Sequence, residues 1–75
     1  MPKLYSAKTI LSALERAGFI IVSQKGSHIK PQKRLETTTL TAIVPNHKEV
    51  ARGTFRSILK QANMTNEEFE SFLKS

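Results

Sequence analysis

The chain has 75 residues, no cysteine, no tryptophan, 39% hydrophobic residues and a formal net charge of +6. A domain of this length buries roughly 60–65% of the surface its unfolded chain would expose, which allows one core and shallow surface chemistry rather than an enclosed cofactor pocket. Disulfides and thiolate zinc sites are excluded, no apolar run approaches the roughly 20 residues of a membrane helix, and the N-terminus lacks the layout of a secretory signal; a cytoplasmic protein without metal or cofactor is expected.

Ser6 is placed to cap a helix in which Ala7, Ile10, Leu11, Leu14 and Ala17 recur at helical spacing, and Gly18 stands where a left-handed C-cap is needed, which predicts a helix over about 7–17. Residues 19–24 are rich in β-branched and aromatic side chains and read as a strand, followed by a turn at Lys25-Gly26 and a second strand over 27–30. With a two-residue turn there, Ser23 faces His28 and Val22 faces Ile29, so His28 and Lys30 share the sheet face opposite a buried Ile29; a bulge would reverse this register. Pro31 cannot donate to a ladder, so the second strand is expected to end there and residues 32–36 to form a basic loop.

Residues 37–44 read as a third strand, with Leu40, Ala42 and Val44 alternating against Thr39, Thr41 and Ile43. Pro45-Asn46 marks the exit from the sheet, and Phe55, Ile58, Leu59 and Ala62 predict an amphipathic helix over about 54–62. Thr65 and Glu68 make a capping box and Met64 and Phe69 a hydrophobic staple for a last helix that docks through Phe69, Phe72 and Leu73. The expectation is one α+β domain over residues 1–75, with a core at about 4–64 and a C-terminal helical extension at 65–75. Its order is α-β-β-β-α plus a helix, with a three-stranded meander covered by helices on one face, as in double-stranded-RNA-binding domains.

Eleven of the twelve Lys and Arg precede residue 65, whereas three of the six Glu follow it, so the basic charge belongs to the body of the domain. Lys25, Lys30, Lys33 and Arg34 cluster around His28, a pattern that fits a polyanion better than a solvated surface. Arg56 and Lys60, four apart on one helix face, are minor candidates for phosphate contact.

The runs Gly18-Phe19, Gln24-Lys25-Gly26-Ser27-His28, Val44-Pro45-Asn46-His47 and Gly53-Thr54-Phe55-Arg56-Ser57-Ile58-Leu59-Lys60-Gln61 follow one another in an order and spacing that resembles the HicA-type mRNA interferase family over about residues 4–64. The resemblance implies a toxin of a bacterial toxin–antitoxin pair, an RNase that cleaves mRNA without a metal and is held inactive by a HicB-type antitoxin, with the catalytic histidine at His28. The chain departs from the family pattern at Ile29-Lys30-Pro31, where polar or aromatic residues often follow the histidine. It departs again at Val50-Ala51-Arg52, where a proline is common before the glycine, and in the extension at 65–75.

The chemistry is compatible with that assignment. A histidine, whose free side chain titrates near pH 6.5, roughly, can take the proton of a ribose 2′-hydroxyl so that this oxygen attacks the adjacent phosphorus. Gly26 lets the backbone approach the substrate, Lys25 and Lys30 offset charge on the phosphate, and Ser27 orients phosphate or ring. His47, beside Pro45 and Asn46, is read first as fixing the loop, with a second acid or base as the alternative. Apolar residues on both faces of 19–22 suggest that part of the outer sheet is covered by a partner, a role open to the antitoxin. A non-catalytic RNA-binding module would share the basic patch but not depend on His28. A DNA-binding protein reading with residues 54–61 is disfavoured by the three strands between the helices.

Overall fold

The computed structural model describes residues 4–74. Its elements are α1 (Ala7–Arg16), β1 (Ile20–Lys25), β2 (His28–Arg34), β3 (Thr39–Thr41), β4 (Val44–Pro45), α2 (Arg52–Gln61) and α3 (Asn66–Leu73). The architecture is α+β, the double-stranded-RNA-binding layout with an extra C-terminal helix. α1 packs on β2, β4 and α3, and the core gathers Ile10, Leu14, Ile29, Val44, Ile58 and Phe69 between sheet and helices.

Local signals account for most helix ends. The Ser6 side chain accepts from the N–H of Thr9 at 3.1 Å and caps α1. At the other end Gly18 takes φ 104°, the N–H of Phe19 donates to the Leu14 carbonyl and that of Gly18 to the Glu15 carbonyl. This Schellman arrangement turns the chain into β1 with Phe19 and Leu14 both buried. α2 ends the same way: Asn63 takes φ 53°, its N–H reaches the Lys60 carbonyl, and the N–H of Met64 reaches the Leu59 carbonyl. α3 opens with the expected capping box, the Thr65 hydroxyl accepting from the Glu68 N–H and the Glu68 carboxylate from the Thr65 N–H.

The sheet corrects three expectations. The first hairpin turns at Gly26-Ser27 rather than Lys25-Gly26, so Lys25, not Ser23, stands opposite His28, and Ser23 stands opposite Lys30. Gly26 supplies the positive φ, 58°, that the first central position of such a tight turn requires. A bulge does occur, but at Val22, far enough from the turn that His28 and Lys30 keep the outer face while Ile29 and Pro31 are buried.

β2 does not end at Pro31 but runs on to Arg34, so residues 32–34 are strand rather than loop. The proline is tolerated because the effect of its missing N–H falls on the partner strand. Pairing of β2 with β3 and with β4 follows one register, Gln32 with Thr41 and Ile29 with Val44, which places Pro31 opposite Ala42. The Ala42 N–H still donates to the Pro31 carbonyl at 3.0 Å, but the reciprocal bond cannot form, and the expected third strand is split there into β3 and β4. At the break the Ile43 N–H donates to the Gln61 Oε1 of α2 at 2.9 Å, which ties that helix to the sheet. α2 itself begins at Arg52, two residues earlier than the apolar spacing implies, because its first turn is solvated and carries no apolar marker.

The C-terminal helix is part of the core. Phe69 is fully buried and makes a three-ring cluster with Tyr5 and Phe55, with centroids 4.9–5.3 Å apart. Arg16 of α1 donates to the carbonyls of Phe72 and Leu73 at 3.0 and 3.1 Å, closing the C-terminal end of α3.

Two substitutions test this packing by chemical denaturation. Phe69→Ala is expected to cost about 3–5 kcal/mol, a large share of a domain of this size. Gly18→Ala is expected to cost about 1–3 kcal/mol because φ 104° strains any side chain, whereas Gly53→Ala, with φ outside that region and nothing within 4 Å of its added Cβ, should be neutral or stabilise by up to about 1 kcal/mol.

Candidate active site

The outer face of the sheet carries no helix, and strict alternation in β2 decides what it displays. Burial of Ile29, 5% exposed, and of Pro31 sends His28, Lys30, Gln32 and Arg34 to the other side. Cross-strand partners share a face, so Lys25, His28 and Pro45 lie abreast at one end, Ser23 and Lys30 form the next row, and Ile20, Gln32 and Thr41 the third. The Gln32 amide donates to the Thr41 hydroxyl at 3.2 Å within that row. With a rise of roughly 3.4 Å per residue, Lys30 sits about 7 Å and Arg34 about 20 Å along β2 from His28.

His28 opens β2 at the rim of a shallow pocket of ≈ 390 Å³. The sheet contributes His28, Ile43 and Pro45, the following loop His47 and Glu49, and the start of α2 Ala51 and Thr54. Backbone hydrogen bonds hold these parts together: the Asn46 N–H donates to the Ser27 carbonyl at 2.6 Å, the Ala7 N–H to the His47 carbonyl at 2.9 Å, and the Val50 N–H to the Tyr5 carbonyl at 2.8 Å. The N-cap of α2 is Ala51, which offers no side-chain oxygen, and its first turn has no acidic residue. The positive end of that helix therefore faces the pocket without a side-chain acceptor.

Among the described residues neither imidazole has a hydrogen-bonding or charged partner, and no Lys or Arg is ion-paired with a Glu. Exposed rings and free cations are what a polyanion needs to find. The structure thus brings His28 together with Lys25, Gly26, Ser27 and Lys30, and Arg34 extends the same face.

Three of the residues singled out by sequence lie elsewhere. Lys33 belongs to the inner side of β2: its stem lies over Gly18 and its Nζ sits 6.0 Å from the centre of the Phe19 ring. Arg56 lines a second pocket, between α2 and α3, with Tyr5, Phe55 and Glu70, and Lys60 follows it by one turn on the same side of the helix. Thr54 and Gln61 mark the side of α2 that meets the sheet and the His28 pocket. Sequence reasoning missed Glu49, Thr54 and Gln61. The one available signal was Pro31, whose missing donor weakens the facing rung at Ala42 and marks where the neighbouring strand breaks, next to the Ile43 N–H that Gln61 accepts from.

The family model described as the HicA toxin of bacterial toxin–antitoxin systems matches residues 7–64, from the start of α1 to the turn after α2. The chain belongs to the HicA toxin family. No curated protein matches it. The HicA match takes in the whole outer sheet face, both histidines and α2, and leaves α3 as an addition that completes the core. As a HicA toxin, the chain is the toxin component of a system whose other component is an antitoxin.

The placement of the lysines is open to a direct test. Lys33→Ala should lower stability by about 0.5–1 kcal/mol through loss of its packing on Phe19, and Lys30→Ala should leave it unchanged within about 0.5 kcal/mol; the reverse order in urea melts would place Lys33 on the outer face.

Proposed function

We propose that this HicA toxin is a metal-independent endoribonuclease that cleaves mRNA in the cytoplasm, with His28 as the proton acceptor for a ribose 2′-hydroxyl. The observation that carries the reading is the position of His28: exposed, without an internal partner, at the edge of a pocket and abreast of Lys25. A general base must be reachable and must not be consumed by a structural bond, and this ring meets both conditions.

RNA supplies its own nucleophile, so the protein has to position a phosphodiester and move protons. Lys30 and Arg34 along β2, with Lys25 across from His28, give a cationic track for the backbone of a single strand. Deprotonation of the 2′-oxygen by His28 lets it attack phosphorus in line, and Lys25 and Lys30 offset the charge that grows on the non-bridging oxygens. Ser27 and the Gly26 turn border the same position, where the backbone is open to close approach. Lys33, Arg56 and Lys60 lie off this track and at most add to the long-range attraction.

The antitoxin in this reading is a HicB-type protein. Ile20, 68% exposed, with Ile21 and Val22 makes an apolar edge on β1, which has a neighbour on one side only. A protein covering that edge and the adjoining basic face would shut RNA out from His28.

His28→Ala should keep its fold and its affinity for single-stranded RNA while losing cleavage by about 100-fold or more. Cleavage of labelled RNA in excess chelator by the wild type, set against the variant, is the measurement. Equal rates for the two proteins would reject His28, and binding without cleavage by the wild type would leave a non-catalytic RNA-binding module.

A further inference from the structure

Sequence alone gives His47 a bland role, that of holding the loop between the sheet and α2. The structure assigns that role to other atoms. The His47 carbonyl accepts from the Ala7 N–H at 2.9 Å, and its own N–H donates to the Pro45 carbonyl at 2.9 Å. Both bonds use the backbone and would survive any side chain at this position except proline. The imidazole makes no hydrogen bond or ion pair within the described residues and is exposed.

The fixed backbone places His47 at the pocket that His28 borders. His28 pairs with Pro45 across the sheet, and the Asn46 N–H is tied to the Ser27 carbonyl, so His47 follows directly on the segment clamped beside His28. His28 and His47 line the same pocket, along with Glu49 and the uncapped first turn of α2. Two proton carriers and the positive end of a helix around one shallow pocket suit a phosphodiester that must lose one proton and gain another.

We propose that His47 is a second catalytic residue, the general acid that protonates the departing 5′-oxygen; this rests on the nuclease reading given above. The two rings reach the pocket from different elements, and this divides the roles. His28 comes from the start of β2, abreast of Lys25 and next to the open Gly26 turn. His47 comes from the loop that leads into α2, with Glu49 and the uncapped helix start.

The step balances. The 2′-hydroxyl proton moves to His28, the 2′-oxygen bonds to phosphorus, the bond from phosphorus to the 5′-oxygen breaks, and the proton of the His47 imidazolium goes to that oxygen. The products are a 2′,3′-cyclic phosphate and a free 5′-hydroxyl. Proton exchange with solvent then restores both rings.

The test uses two single-stranded RNAs of one sequence, one with the natural 5′-oxygen at the cleavage site and one with sulfur in its place, because a thiolate leaves without being protonated. His47→Ala should slow cleavage of the natural RNA by about 100-fold or more, yet cleave the sulfur RNA within about fivefold of the wild-type rate. His28→Ala should fail on both. Equal losses of His47→Ala on the two substrates, or no loss on either, would overturn the assignment and return His47 to a positioning or structural role. Cleavage of both RNAs by His28→Ala would reject the His28 reading while leaving the sulfur-specific rescue of His47→Ala to stand by itself. A wild type that cleaves neither would remove both proposals.

Discussion

The arrangement depends on the burial of one isoleucine. Ile29 lies under α1 at the start of β2, and because side chains in a strand alternate, its burial commits the neighbours on either side, His28 and Lys30, to the helix-free face. A shift of one residue would put the imidazole into the core and the isoleucine into solvent, at a cost of several kcal/mol from lost apolar burial and an unpaired polar group. The position of His28 is thus held by hydrophobic register rather than by hydrogen bonds to its ring.

Pro31 extends that control to the other side of the pocket. By failing to donate at one rung it splits the third strand, and the freed segment is met by Gln61 from α2. The same break sets off the short β4, whose Pro45 stands against His28 and whose continuation carries His47 and Glu49 into the start of α2. The pocket is therefore assembled by the end of one hairpin, an interrupted strand and a helix start, each fixed by backbone bonds rather than by a network of charged side chains.

Elements with a chemical signal of their own were legible in the sequence. Ser6 and Gly18 bound α1, Thr65 and Glu68 open α3, and the alternation around Ile29 gives the face of His28 correctly. What escaped depends on partners distant in sequence. The turn lies one residue later than expected because both registers bury Ile29, and only the whole sheet chooses between them. The continuation of β2 past Pro31 rests on the break in the facing strand, and the inward turn of Lys33 rests on Phe19 and Gly18. Arg56 and Lys60 have the right charge, but the side of α2 they occupy was settled by Thr54 and Gln61 meeting the sheet. His28 stands out in the sequence through its glycine turn, its cationic surroundings and the family resemblance together, whereas the company of His47 in its pocket is a property of the fold alone.

In the proposed mechanism the nucleophile is the RNA's own 2′-oxygen, with the protein moving protons around it. The chemical ends of the cleaved RNA report on that directly by mass spectrometry. A 2′,3′-cyclic phosphate on one fragment and a 5′-hydroxyl on the other, with no cut next to a nucleotide that lacks its 2′-hydroxyl, is the predicted result. A 5′-phosphate, or equal cutting at a 2′-deoxy position, would mean that water or another group attacks phosphorus and would contradict it.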